Sequence, residues 1–284
     1  LISGSQYMLS GPRTVVELSL RDQSKLLGEV WNREIIPDGE SAHARYRQRL
    51  KIGNRDLWGL DFRWVDEQNI QTTRLPDSLL VLERRSWGQF IGYARELRSA
   101  DSLVASGAWQ TSEALLSRIH ESKALHRRIV EIQKHRIGDI NHDLKYNRLK
   151  IRGITLAGDT SSADIQQKLR KLRQRRAALQ ESYEALESEL TALRVASVRR
   201  RIVLQAANGA ITEMPLSDIV RAYLPNNMST MDKALLYGER LWAFLTDEPR
   251  EANMEGGIFP ALFGTVMMVI LMSIAVVPLG VLAA

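Results

Sequence analysis

Three residues have the spacing of a metal site on a helix. His135, Asp139 and His142 lie at i, i+4 and i+7, which places them on one side of a helix, and imidazole and carboxylate groups so spaced can hold zinc. None of them falls on the apolar positions of the helix predicted around them, so no buried neighbour would orient them. We therefore predict a solvated face and no metal site. His126 does fall on the apolar positions, where a single histidine more often sets helix register than binds a ligand.

A dense basic run could bind phosphate groups of nucleic acid or lipid. It extends from Lys168 to Arg176 and is followed on the same predicted helix by an acidic stretch. Pairing with an opposite helix, together with solubility, is therefore the favoured interpretation, and Arg199–Arg201 are interpreted in the same way. The acidic residues are Glu181, Glu184, Glu187 and Glu189.

Basic residues also recur at every second position between 45 and 51, which places them on one face of a strand. Tyr46 and Trp64 lie nearby, so an RNA-binding sheet is one interpretation. The other, which we favour, is a solvated strand face. The basic residues are Arg45, Arg47, Arg49 and Lys51.

Composition and motifs narrow the classes further. The chain has a formal net charge of +6 and no cysteine, which excludes disulfides, thiolate catalysis and cysteine metal sites. It contains no Walker loop, no Gly-x-Ser-x-Gly and no His-Glu-x-x-His motif. We assign no catalytic, metal or cofactor-binding residue, predict that the chain is not an enzyme and needs no cofactor, and leave the substrate-binding residues unknown.

The pattern of apolar residues predicts an α+β fold, with a small antiparallel β-rich domain and an inserted coiled-coil hairpin, followed by an α-helical transmembrane segment. Short alternating runs separated by turn residues make 1–112 the first part of the β domain. Two runs flanking Asn208-Gly209, the strongest short signal for a β-hairpin, are predicted to rejoin it within 198–228, together with a short helix from Leu216 to Tyr223.

Between these segments, 113–197 has the period of a coiled-coil helical hairpin. Its first arm places these residues on one unbroken seam: Leu116, Ile119, Lys123, His126, Val130, Gln133, Ile137, Ile140, Leu144, Asn147 and Ile151. Its second arm repeats the pattern: Ile165, Leu169, Leu172, Arg176, Leu179, Tyr183, Leu186, Leu190 and Leu193.

The C-terminal part of the sequence changes in character. An amphipathic helix and linker are predicted over 229–255, with an apolar stripe that suits either a membrane interface or packing on the β domain. The stretch 256–284 contains no charged residue, and a bilayer core needs about 20 apolar residues of helix. We therefore predict a transmembrane helix there, with a small-residue face suited to close helix packing, formed by Gly257, Ala261, Gly264 and Thr265.

Two motifs in this stretch carry a family resemblance. Glu-Gly-Gly-Ile-Phe-Pro-Ala-Leu-Phe-Gly-Thr at 255–265 and Val-Pro-Leu-Gly-Val-Leu-Ala-Ala at 277–284 resemble the start of the permease core in PstA-type subunits of bacterial phosphate ABC importers. The preceding 247–253 resembles the lead-in of the long form of that subunit, which has a large periplasmic insert. The remainder of the chain would be that insert.

The resemblance implies a function that the residues alone do not. It implies a multi-pass permease subunit of the bacterial inner membrane, with 1–255 in the periplasm and 256–284 entering the lipid bilayer. Its partners would be a second permease subunit, an ATPase subunit dimer that hydrolyses ATP and a periplasmic phosphate-binding protein.

Two alternatives stay open. One is a membrane-anchored coiled-coil adaptor or structural protein without transport activity. The other is a basic nucleic-acid-binding coiled coil, although no nucleic-acid partner is expected.

Overall fold

Two antiparallel sheets form the β part of the protein. The computed structural model describes residues 13–36, 45–100, 102–156, 162–247, 257 and 259–283. The strands are β1 Val15–Leu20, β2 Lys25–Ile36, β3 Arg45–Lys51, β4 Phe62–Asp66, β5 Ile70–Arg74, β6 Leu80–Arg84, β7 Gln89–Ser99, β8 Ser102–Ser106, β9 Arg200–Gln205, β10 Ile211–Pro215 and β11 Ile219–Tyr223. The helices are α1 Arg55–Trp58, α2 Ala108–Glu131, α3 Ile137–Leu156, α4 Ala163–Val198, α5 Thr230–Thr246 and α6 Phe259–Ala283, with a π-helical turn at Ile132–Arg136.

The two sheets repeat one topology. The first has the order β4-β3-β2-β1-β5, and the second has the order β10-β9-β7-β6-β11, with β8 added beside β7. Strands β6, β7, β9, β10 and β11 of the second sheet correspond, in chain order, to β1, β2, β3, β4 and β5 of the first. A 3₁₀ turn precedes the last strand of each sheet, at Glu67–Asn69 and at Leu216–Asp218. The bulges correspond as well, since β2 is irregular at Val30/Asn32 and β7 at Ala94/Glu96. The β part is therefore an internal structural repeat.

One glycine in each sheet shows how closely the copies agree. Gly28 of β2 pairs with Val16, and Gly92 of β7 pairs with Leu80. A Cβ atom on Gly28 would lie 2.8 Å from the Lys51 carbonyl oxygen, and one on Gly92 would collide with the equivalent carbonyl of the neighbouring strand β9. Both strands therefore need glycine because the adjacent backbone approaches too closely for a side chain.

Three apolar clusters hold the β part together. In the first cluster, Leu18 and Leu50 pack with other buried apolar side chains of the first sheet. The second sheet packs Phe90 and Leu204 against α2. A third cluster joins the sheets and contains Val15 and Leu27 from one sheet and Leu79, Val81, Ile91 and Tyr223 from the other, with Leu236 of α5.

Two asparagines reinforce this junction with paired hydrogen bonds. Asn54 of the first half donates to the Ile91 carbonyl at 2.9 Å and accepts from the Ile91 amide at 2.8 Å. Asn226 of the second half donates to the Val15 carbonyl at 2.8 Å and accepts from the Val15 amide at 3.0 Å. Each half thus satisfies buried backbone groups of the other, as buried polar groups require.

The hairpin predicted around Asn208-Gly209 is confirmed as β9 and β10, with Gly209 at φ 84°. It pairs with β7, a strand within 1–112, so it rejoins that part of the chain as predicted, in the second of the two sheets. The predicted helix from Leu216 to Tyr223 is wrong, because a 3₁₀ turn and strand β11 occupy those residues. Burial alternates along β11, as expected of a strand with two unlike faces.

The predicted fold class is therefore wrong in its β part, since the β strands form two sheets and not one small domain. It is also wrong for 113–197, which form no clear coiled-coil hairpin. Helices α2 and α3 do lie antiparallel to α4, as the hydrogen bond from Asn147 to the Leu172 carbonyl and the contacts of Ile129 and Ile132 with Leu186 and Leu190 show. We call these three helices, residues 108–156 and 162–198, the helical arm.

The π-helical turn is the physical reason for the second error. It adds a residue to one turn. Ser122 and Ile129 are buried before the turn and Ile132 is buried within it, whereas the predicted seam residue Gln133 is exposed. Along α4, the buried residues among those described are Leu169, Leu186 and Leu190. The packing is therefore interrupted, and a continuous knobs-into-holes seam is absent from the described part of the arm.

The predicted transmembrane segment at 256–284 is also wrong for the described structure. Among the residues that the structure describes, no helix has the length and apolar character needed to cross a bilayer. Helix α6 begins at Phe259, and its side chains are described continuously from 261 to 274.

Candidate functional site

The distal half of the helical arm carries the densest charge of the described structure. The ranges 145–152 of α3 and 168–176 of α4, which we call the basic tip, contain no acidic residue. The bond between Asn147 and Leu172 places the two ranges side by side. The basic residues of the tip are all exposed: Lys145, Arg148, Lys150, Arg152, Lys168, Arg170, Lys171, Arg173, Arg175 and Arg176.

Ion pairs neutralise little of this charge. Lys168 contacts Asp164 of its own helix at 2.6 Å, and Arg175 contacts Asp143 of α3 at 3.0 Å. Both acidic residues lie outside the tip, and exposed pairs of this kind bind weakly. The predicted pairing of the basic run with an opposite helix thus holds at Arg175, but the helix opposite the run is itself basic. Sequence reasoning missed this, because the register of α3 against α4 has to be known first.

The acidic residues of α4 pair elsewhere. Glu189 accepts from Arg128 at 3.0 Å and lies 3.7 Å from Arg136, both near the middle of the arm. At the base of the arm, Arg200 pairs with Glu121, and Arg201 pairs with Glu213 at 2.8 Å. The proximal half therefore has balanced charge, and the distal half does not.

The basic residues of β3 lie neither on an RNA-binding surface nor on a solvated strand face, the two environments that the sequence suggested. Arg47 stacks on Trp64 with 4.4 Å between the guanidinium carbon and the ring centre, and Arg49 stacks on Phe62 at 4.6 Å. These arginines are half-buried, so the favoured solvated strand face is wrong. Because their guanidinium groups cover the rings, these rings are not open for base stacking in the way that an RNA-binding sheet requires.

Helix α5 is held against the second sheet by buried charges. Glu83 of β6 accepts from Arg221 of β11 at 2.5 Å and from Arg240 of α5 at 2.8 Å. A capping box between Ser229 and Asp232 begins the helix, where a cap was predicted.

The predicted apolar stripe of α5 does not pack on the β domain, since every member is exposed: Met231, Leu235, Gly238, Trp242 and Leu245.

Helix α6 has no charged residue, and every described side chain from 261 to 274 is exposed. Of the predicted small-residue face, Ala261, Gly264 and Thr265 lie on this helix, and a Cβ on Gly264 would meet nothing within 4 Å. Gly257 precedes the helix and packs against the backbone of Asp247 instead. A helix that is apolar on all sides needs a covering surface.

The candidate metal ligands His135, Asp139 and His142 are all exposed, as predicted for a solvated face. No group of three potential ligands suited to a metal ion occurs within the described ranges.

His126 of α2 is half-buried, and its environment makes stability depend on pH. Burial, together with the smaller effect of the Arg85 charge, lowers the pKa of His126 to about 4. The ordinary pKa is about 6.5, so folding favours the neutral ring; this stabilisation is complete above about pH 6.5 and is lost progressively as the pH falls towards 4. We expect the unfolding temperature to fall between about pH 7.5 and about pH 4.5, and to fall less in His126→Gln.

The matched control for this experiment is His120→Gln, since His120 lies on the same helix and is exposed. It should retain the wild-type pH dependence in the same thermal melts. Parallel curves for wild type and His126→Gln would show that His126 does not contribute.

Comparison with protein families, with curated proteins and with solved structures found no match to this chain.

Proposed function

We propose that this chain is the extracytoplasmic part and the beginning of the permease core of a subunit in an ATP-driven phosphate importer. The observation that carries the proposal is α6, whose described residues are uncharged and exposed on all sides. In an importer, the apolar surfaces of other helices of the subunit and of a second permease would cover this helix.

The sequence of the same region supplies the substrate class. The stretches 255–265 and 277–284 resemble the start of a phosphate permease core. On this proposal the two sheets and the helical arm lie outside the cytoplasm, where a periplasmic phosphate-binding protein delivers substrate. An ATPase dimer on the opposite side hydrolyses ATP, so this chain supplies the path and not the hydrolysis.

The test is phosphate uptake in the bacterium that encodes the chain, with the gene deleted and then restored. If the restored gene carries the substitution Gly264→Leu, phosphate uptake should be about tenfold or more below that of the wild-type gene. The reason is that overpacking a close helix contact costs about 1–3 kcal/mol. Within this chain the added side chain meets nothing, and leucine favours helix more than glycine does. A loss of uptake with normal protein levels would therefore report on a neighbouring helix.

Ile270→Leu, at an exposed position of the same helix, is the matched control and should keep wild-type uptake. Unchanged uptake in the deletion strain would overturn the proposal and favour the adaptor function. Equal uptake by Gly264→Leu and Ile270→Leu would exclude close helix packing at Gly264.

A further inference from the structure

The outward face of α3 combines basic and apolar side chains. Lys145, Leu149, Arg152 and Leu156 follow one another at steps of four, three and four residues, so they form one stripe along the helix. The opposite face packs on α4 through the buried Asn147. The stripe therefore points away from the rest of the arm.

The two leucines of this stripe are unusually open. Leu149 is 56% exposed and Leu156 is 75% exposed, and Tyr146 beside them is 53% exposed. The basic residues of the tip are all exposed as well, and Lys145 and Arg152 lie in the same stripe as the two leucines. The stripe thus offers cations and apolar groups to the same partner surface.

The combination identifies the chemistry of that partner. Duplex nucleic acid presents phosphates to basic residues but has no apolar phase for two leucines. A bilayer of anionic phospholipid presents both, because headgroup phosphates overlie the acyl boundary where leucine side chains can be buried. We propose that the basic tip binds the surface of anionic phospholipid bilayers, with its cations at the phosphates and with Leu149 and Leu156 at the acyl boundary.

This binding is distinct from the contribution of α6. Helix α6 has no charge, so any attachment that it provides is equal for neutral and anionic vesicles. The part due to the tip is the difference between the two, and it weakens as salt rises.

The experiment is co-sedimentation of the full chain with vesicles. One set contains phosphatidylglycerol mixed with phosphatidylcholine, and the other contains phosphatidylcholine alone. The wild-type chain should bind the first set more tightly, and the double variant Arg148→Glu/Arg152→Glu should lose at least about tenfold of that preference. Leu149→Ser/Leu156→Ser should weaken the binding that remains at high salt.

The matched control is Arg127→Glu/Arg194→Glu, which changes the net charge equally at exposed positions of the proximal arm. It should retain the preference within about twofold. Equal losses in the tip variant and this control would overturn the proposal, because they would show an effect of overall charge. Tip-dependent binding to duplex DNA without a preference for anionic vesicles would overturn it in favour of a nucleic-acid partner.

Discussion

Replacing Glu83 by alanine should lower the free energy of unfolding by about 3–5 kcal/mol, because it leaves buried arginines without a counter-charge. Arg221 has 9% of its side chain exposed and Arg240 has 23%, and both donate to the Glu83 carboxylate. Arg221 also contacts Glu239 of α5 at 3.2 Å, which compensates part of its charge. Urea unfolding, followed by circular dichroism, measures the effect.

Glu213→Ala is the control for this prediction. Glu213 pairs with Arg201 in the same sheet, but both side chains are at least 40% exposed. Its loss should cost about 0–1 kcal/mol, the usual range for a surface pair. If the two variants proved equally stable, the Glu83 network would not hold α5 on the sheet.

Replacing Gly92 by alanine should destabilise the protein by about 3 kcal/mol or more, at the upper end of what overpacking usually costs. The new methyl group would collide with the Gln205 carbonyl and with the ring of Phe90. The carbonyl belongs to the backbone of a paired central strand, so it cannot move aside without loss of the pairing between β7 and β9. Thermal and urea unfolding give the magnitude.

Gly138→Ala is the matched change at a glycine with open surroundings. It lies in α3, and nothing is within 4 Å of the added methyl group. Since alanine favours helix over glycine, this variant should be more stable by about 0.5–1 kcal/mol. Gly28→Ala, at the equivalent position of the first sheet, should behave like Gly92→Ala. A neutral effect at Gly92 would show that β9 approaches β7 less closely than the structure has it.

The repeat of the two sheets explains where the helical arm enters the fold. The arm and β8 lie between β7 and β9, which are neighbours in the second sheet, and the equivalent connection in the first sheet joins β2 to β3 through residues 37–44. An insertion between adjacent strands keeps their pairing because its two ends begin and finish close together. The arm therefore extends from the β part without changing its topology.

Local sequence determined the elements that depend on near neighbours. The hairpin at Asn208-Gly209 follows from a turn that needs positive φ, and Ser229 with Asp232 begins α5 because the two side chains satisfy the first amides of the helix. The antiparallel course of the arm follows from its two long helical patterns. The basic run 168–176 and the uncharged stretch 256–284 are equally plain in the sequence.

Other features needed contacts between residues far apart in the chain. The division into two sheets depends on which strands pair, and alternation of apolar residues is the same in either sheet. The π-helical turn moved Ile129 and Ile132 inward and Gln133 outward, so the seam could not be read from spacing alone.

By itself, therefore, the sequence determined which residues are basic or apolar and where the long helices and the Asn208-Gly209 hairpin lie, because these features depend on a residue and its neighbours. Residues 216–223, predicted as a helix, instead form a 3₁₀ turn and a strand that pairs with β6. Only the tertiary structure decided that basic 168–176 lies beside basic 145–152, since the register of two packed helices is set by the side chains buried between them.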